Sequence, residues 1–255
     1  MSASSFLEPR VYLLDVEGTV APISLVSEVL FPYARARLAD FLGQCIGDAA
    51  VLEDLLLLVQ ECQAETDANA PRIPKPRSID SVGTPDFQVR ALFYLDWLME
   101  HDRKSTALKS LQGKIWKAGF ESGELKGTLF ADVPDALARW AGKARVMIYS
   151  SGSVEAQRLL FRYSTFGDMT PRIAGYFDTR TGPKRASSSY TAIAAVLGVL
   201  PGEVAFFSDV VEELDAAREA GAQTWLVVRA GNPAVEEAHG HLVISSFADL
   251  DGELR

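Results

Sequence analysis

From Thr128 onward the sequence alternates short apolar runs with stretches of helical periodicity, and few architectures accommodate that rhythm. Val133 to Trp140 is predicted as a helix, Arg145 to Tyr149 as a strand, and Val154 to Tyr163 and Tyr190 to Leu197 as helices. Val204 to Phe207 reads as a strand, Glu212 to Ala220 as a helix and Thr224 to Val228 as a strand. Gly142, Gly198 and Gly221 follow predicted helices, at the place where a residue free to adopt positive φ ends an α-helix. Strands joined through helices of this length imply a parallel sheet covered on both faces. The expected core is therefore a doubly wound α/β sheet, with ligands bound at the carboxyl ends of its strands.

An earlier segment joins the same sheet. Arg10 to Asp15, R-V-Y-L-L-D, is an apolar run that ends in an acid and is followed by Gly18 and Thr19, as when a buried strand opens into a polar loop. The chain then turns helical: Ile23 to Leu42, Ala49 to Ala64, Phe87 to Glu100 and Thr106 to Glu121. That is too much helix for one crossover. Ala70 to Ser78, A-P-R-I-P-K-P-R-S, holds three prolines and is expected as an extended loop. The predicted division is an α/β core from residues 1–21 and 128–255, with residues 22–127 forming a helical cap inserted after the first strand.

Composition removes several function classes. With 255 residues, 48% of them hydrophobic, the chain can build this core unaided. A formal net charge of −9 leaves no basic excess to neutralise a run of phosphates, so no nucleic-acid partner is expected and any phosphate site must be compact. Cys45 and Cys62 lie apart from any histidine, which points to neither a disulfide framework nor a zinc site but to a reducing compartment. The opening M-S-A-S-S-F-L-E-P-R lacks the basic and apolar regions of a leader, and the sequence has no apolar run of membrane-spanning length. A cytoplasmic protein without a membrane partner is expected, as a monomer rather than an obligate oligomer. His101, His239 and His241 fall outside the motifs below; the last two are expected in a late surface turn, in a region that finishes the sheet edge with Asn232 and Pro233.

Four signals fall at strand ends or helix starts on what should be one rim of the sheet. The first is D-V-E-G-T, Asp15 to Thr19, where an extended backbone places Asp15 and Glu17 on one side. Two such acids can divide nucleophilic or metal-binding work from proton transfer, although an acid pair is also a common strand-to-turn boundary. The second is Y-S-S-G-S, Tyr149 to Ser153, whose hydroxyls and amides can hold an anion or simply cap a helix through Ser151 or Ser153. The third is T-G-P-K-R, Thr181 to Arg185, which sets Lys184 in a turn where lysine is ordinarily just solvated. The fourth is F-F-S-D-V-V-E-E, Phe206 to Glu213, in which Asp209 follows a strongly apolar strand and can alternatively cap the next helix. Together they supply what a phosphate monoester requires: a nucleophile, ligands for a charge-neutralising metal, and donors to the equatorial oxygens. Hard oxygen ligands without paired histidine or cysteine favour Mg²⁺.

The order of acid pair, hydroxyl, lysine and late acid resembles the haloacid dehalogenase superfamily. Asp15 to Arg35 (D-V-E-G-T-V-A-P-I-S-L-V-S-E-V-L-F-P-Y-A-R), Asp102 to Trp116 (D-R-K-S-T-A-L-K-S-L-Q-G-K-I-W) and Ile148 to Phe161 (I-Y-S-S-G-S-V-E-A-Q-R-L-L-F) are similar to the bifunctional enolase-phosphatases of methionine salvage, and the match spans nearly the whole chain. Glu17 sharpens the resemblance, because generic phosphatases of the superfamily carry aspartate there. Val20, Ala21 and Leu25 depart from the family's usual run, but only in size at apolar or neutral positions.

The resemblance implies conversion of 2,3-diketo-5-methylthiopentyl 1-phosphate to its enediol phosphate and then, by dephosphorylation, to the acireductone. It implies Asp15, Glu17 and Asp209 as Mg²⁺ ligands, and Ser150, Ser151 and Lys184 around the phosphate. Asp15 is expected as the nucleophile of an aspartyl-phosphate intermediate, Glu17 as proton carrier and Lys184 as charge stabiliser, with the cap closing over the site. Trp116, Phe31 and Phe120 are possible pocket residues, although such spacing more often marks plain helix core. The competing expectations are a phosphatase for another small phosphate ester, a dehalogenase, a phosphonate hydrolase using a cap lysine such as Lys114, and a catalytically silent anion-binding module.

Overall fold

Six strands pair side by side in the computed structural model, which describes residues 7–45, 47–235 and 239–252. Met1 to Phe6, most of the stretch in which no leader was read, lie outside the described residues. The strands are β1 (Val11–Leu14), β2 (Arg145–Tyr149), β3 (Gly175–Phe177), β4 (Val204–Ser208), β5 (Gln223–Val227) and β6 (Leu242–Ile244), and all pairs are parallel. Their order is β3-β2-β1-β4-β5-β6, the doubly wound topology whose direction of travel reverses between β1 and β4. Period-two alternation sorts the side chains. Val11 and Leu13 join Met147, Tyr149, Val204, Phe206 and Leu226 in one cluster with Tyr190, Ile193, Leu214 and Ala217 of the helices α7 (Ser187–Leu197) and α8 (Val211–Glu219). Tyr12 instead stacks on Trp140, 4.5 Å between centroids, and Trp140 meets Phe207 and Phe247. Trp140 ends α5 (Val133–Trp140); α6 (Val154–Arg162) follows β2. Gly142, Gly198 and Gly221 all have positive φ after their helices, as their positions predict.

The chain separates into two compact units, Met1–Ser27 with Gly123–Arg255, and Glu28–Ser122. Both junctions lie inside the predicted 22–127 boundaries, because the flanking residues belong to the α/β unit: Leu25 and Leu125 are buried, Gly127 N–H donates to Tyr163 O, and a Cβ on Gly127 would lie 2.0 Å from Leu160 O. The predicted helix Ile23 to Leu42 divides into a π-helical segment, Leu25–Leu30, and α1 (Phe31–Cys45). Pro32 lacks the amide hydrogen that an α-helical bond to Glu28 would need.

The helical unit continues with α2 (Ala49–Ala64), α3 (Pro85–Glu100) and α4 (Thr106–Ser122). Its core includes Leu38, Leu42, Leu55, Leu58, Tyr94, Leu95, Leu111 and Ile115. Asp48 caps α2 by accepting from Ala50 and Val51 N–H, and Thr84 caps α3 by accepting from Phe87 N–H. The proline-rich loop is extended as predicted, and Arg72 ties it down by donating to the carbonyls of Cys62, Glu65 and Asp67. Lys114 Nζ pairs with Asp54 Oδ2 at 2.5 Å, which gives this lysine a structural partner. Phe120 is buried, whereas Phe31 is 47% exposed and leans on Trp116, whose Nε1–H donates to Leu30 O.

Of the two late histidines, His239 lies part-exposed in a turn, whereas His241 departs from the expected surface turn. His241 is buried, with Nδ1 2.8 Å from Thr224 Oγ1 and Nε2 3.2 Å from Asp215 Oδ1, because the turn into β6 lies against β5 and α8. Burial, and then the Arg218 charge, lower its pKa. Among the described residues no helix is long and apolar enough to cross a membrane.

Candidate active site

Asp15 stands immediately beyond β1, and its amide still donates to Phe207 O at 2.9 Å, so the ladder with β4 fixes the start of its side chain. The backbone then turns tightly. Val16 O accepts from the amides of Thr19, Val20 and Ala21, and Gly18 N–H donates to Ala21 O. Gly18 has φ +70°, and a Cβ there would lie 2.1 Å from Asp209 Oδ2, so both the turn and the approach of that carboxylate require glycine. Val20, Ala21 and Leu25, the positions that depart from the family run, are buried apolar residues of this same unit.

Lys184 is brought to Asp15 from far along the chain. Its Nζ is 2.6 Å from Asp15 Oδ1 and 2.6 Å from Glu213 Oε2. The turn that carries it is held by Tyr149 OH on Gly182 O, Ser189 Oγ on Pro183 O and Tyr190 OH on Lys184 O. Burial opposes the lysine charge, but Asp15 and Glu213 outweigh it and hold the ammonium above its ordinary pKa. Ser208 Oγ lies 3.0 Å from Glu213 Oε2 and 3.4 Å from Asp15 Oδ2. Lys184 is thus a buried, paired cation rather than a solvated one.

Asp209 immediately follows β4, on the other side of the topological reversal. Val210, not Asp209, occupies the N-cap of α8, so the carboxylate is not spent on the helix. Burial, and then the Asp15 charge, push its pKa up to about 7. The same two causes, in the same order, raise Glu17, and they raise Glu213 as well. These acids therefore favour the protonated form to higher pH than free carboxyls do.

The two serines separate. Ser150 is buried and its Oγ accepts from Gly152 N–H at 3.1 Å, whereas Ser151 is exposed and faces the cleft. The capping role falls to Ser153, whose Oγ accepts from Ala156 N–H. Asp15, Glu17, Ser151, Lys184 and Asp209 all line one cleft of about 840 Å³ within the α/β unit, along with Ile23, Glu213 and His239. Ser150 lies behind this lining.

Sequence reasoning missed Glu213, Asn232 and Arg229. Glu213 lies in the F-F-S-D-V-V-E-E run four residues after Asp209, a helical spacing that could have marked it. Asn232 Nδ2 donates to Gly18 O at 2.9 Å and stands 3.3 Å from Asp209 Oδ2; only the N-P dipeptide hinted at a turn there. Arg229 gave no local signal.

The donor set fits a hard dication. Among the described residues no group of three acidic, histidine or cysteine side chains stands gathered as a complete metal cluster. Mg²⁺ does not need one, because it commonly takes one or two carboxylates and fills its sphere with water and substrate phosphate. Asp15 and Asp209 share the cleft, and Asp15 raises the cost of ionising Asp209, an excess of negative charge that a divalent cation relieves.

A family profile described as haloacid dehalogenase-like hydrolase matches residues 9–221. The chain is 53% identical over 225 residues to a protein of Synechococcus elongatus named enolase-phosphatase E1, covering 88% of this chain and 90% of that protein. It is 42% identical to a protein of Physcomitrium patens named probable bifunctional methylthioribulose-1-phosphate dehydratase/enolase-phosphatase E1, over 94% of this chain and 48% of that longer protein. Among solved structures, the UTR4 protein of Saccharomyces cerevisiae superposes with a TM-score of 0.73 at 35% identity, covering 93% of this chain and 98% of the other.

Proposed function

The chain belongs to the haloacid dehalogenase-like hydrolases and, within them, to the enolase-phosphatase E1 family, and from this membership and the cleft geometry we propose how its residues divide the work. The substrate is 2,3-diketo-5-methylthiopentyl 1-phosphate, which is enolised and then dephosphorylated to the acireductone 1,2-dihydroxy-3-keto-5-methylthiopentene in methionine salvage. The Asp15 carboxylate attacks phosphorus in line, the phosphorus–oxygen ester bond breaks, and Glu17 gives its proton to the departing oxygen. The ionised Glu17 then takes a proton from water, whose oxygen attacks the aspartyl phosphate and frees inorganic phosphate and Asp15. The raised pKa of Glu17 supports this proton-carrying role.

Lys184 and Ser151 bind the phosphoryl oxygens, while Ser150 supports that loop from behind through the Gly152 amide. Asp15, Glu17 and Asp209, which share the cleft, would hold Mg²⁺. Bound there, Mg²⁺ supplies positive charge for phosphoryl transfer and Lewis-acid polarisation for enolisation. The two free cysteines, Cys45 and Cys62, support a cytoplasmic setting.

The observation that carries this reading is the Lys184 Nζ to Asp15 Oδ1 contact of 2.6 Å in a cleft shared with Glu17 and Asp209. The test supplies protein and Mg²⁺ with the diketo phosphate and follows phosphate release and enediol ultraviolet absorption together. Both signals should rise. Release from simple esters but not from this compound would keep the Asp15 chemistry and reject the substrate.

A further inference from the structure

The loop after β5 reaches the ends of both β1 and β4. Two of its side chains take successive carbonyls of the Asp15 to Ala21 turn: Arg229 Nε donates to Thr19 O at 3.2 Å, and Asn232 Nδ2 to Gly18 O at 2.9 Å. Asn232 Nδ2 also stands 3.3 Å from Asp209 Oδ2. Both partners are acceptors, so the amide nitrogen must face them, and its two hydrogens account for the two bonds. Asn232 N–H donates to Arg229 O, which closes the turn carrying both side chains. Arg229 is itself paired with Asp132 Oδ2 at 2.9 Å, and its guanidinium carbon lies 4.6 Å from the Phe130 ring centroid and 4.9 Å from that of Phe247.

We propose that Asn232 is a positioning residue that fixes the Asp209 carboxylate against the nucleophile loop for divalent-cation binding. This rests on the metal role given to Asp209 above. The chemistry explains why an amide stands here. A carboxylate that must bind a dication has to be aimed by a donor that does not neutralise it; lysine or arginine would hold Asp209 equally firmly but compete with the cation. Lys184, the cation of the cleft, is instead engaged with Asp15 and Glu213. The neutral amide leaves the Asp209 charge available and spans the two strand ends, so the spacing between nucleophile loop and metal ligand is set by one side chain. Such outer partners of a metal ligand typically change affinity by about 10- to 100-fold when removed.

The test is calorimetric titration of Mg²⁺ into the full-length protein and into Asn232→Ala and Asn232→Leu variants, the second keeping side-chain volume while removing the donor. The expected result is a Kd raised about tenfold or more in both variants. The unfolding midpoint without Mg²⁺ should stay close to that of the parent, and kcat should recover as Mg²⁺ is raised. An unchanged Kd in a folded variant would overturn the proposal while leaving the proposed reaction intact. A parent protein that binds Mg²⁺ but does not process the diketo phosphate would reject the substrate and leave Asn232 to be judged by the titrations. A parent that binds no Mg²⁺ would overturn the metal assignment and this proposal with it.

Discussion

Asp15 and Lys184 meet at 2.6 Å although 169 positions separate them. Asp15→Asn should keep the fold and lower phosphate release by at least about a thousandfold, since the amide is a poor nucleophile. Steady-state phosphate assay checks this, and full activity would remove Asp15 from its role. Glu17→Gln should slow dephosphorylation by roughly 10² to 10⁴, the usual contribution of a positioned proton carrier, measured on the same substrate at saturating Mg²⁺. Asp209 predicts a pH dependence. Its folded carboxyl keeps its proton up to about 7, whereas the ordinary value is 3.8. A raised folded pKa contributes stability that is complete below the ordinary value and fades as pH rises to about 7, so in the metal-free protein this contribution is lost by neutral pH. Mg²⁺ replaces the proton, and its stabilising effect should therefore be larger at pH 8 than at pH 5.5. Melting temperatures with and without Mg²⁺ at the two pH values give the comparison; an equal shift at both would show that Asp209 does not titrate with the metal.

At the scale of elements, Asp132 joins the segments after β5 and β6, and through Arg229, which donates to Thr19 O, the brace reaches the loop after β1. Its Oδ2 receives Arg229 Nη1 at 2.9 Å, Ser246 Oγ at 2.9 Å and Phe247 N–H at 2.7 Å. Burial alone would raise the Asp132 pKa, but these donors outweigh it and hold the carboxyl below its ordinary value. Asp132→Ala should cost about 3 kcal/mol, because it leaves Arg229 buried without its counter-charge. Denaturant unfolding measures this, and a loss under about 1 kcal/mol would mean that the arginine finds other partners. The long strands and most helices were legible in the sequence, because apolar periodicity over five or more residues is set locally. β3 and β6 were not predicted as strands. Each has three residues and borrows its strand character from a neighbour, β2 or β5, which a local pattern does not contain.

For the whole molecule, two units with separate hydrophobic clusters predict two calorimetric transitions rather than one. Leu55→Ala, at a fully buried position of the helical unit, should cost about 2–5 kcal/mol and lower only that unit's transition. Mg²⁺ should raise the other, because Asp15 and Asp209 belong to the α/β unit; a single transition moved by both changes would show that the units unfold together. The order of acid pair, hydroxyl, lysine and acid at the ends of apolar runs was enough to place the candidate nucleophile, proton carrier and late acid on one rim, because strand direction is fixed once the sheet is parallel. Sequence also placed Gly18 and Thr19 in a polar loop at the end of the first strand, because the apolar run stops at Asp15. The pairing of Lys184 with Glu213, the withdrawal of Ser150 behind Ser151, the burial of His241 and the reach of Arg229 and Asn232 back to Thr19 and Gly18 were set by folding. Each depends on distances between segments far apart in the chain, and local periodicity reports which way a side chain points but not what it meets.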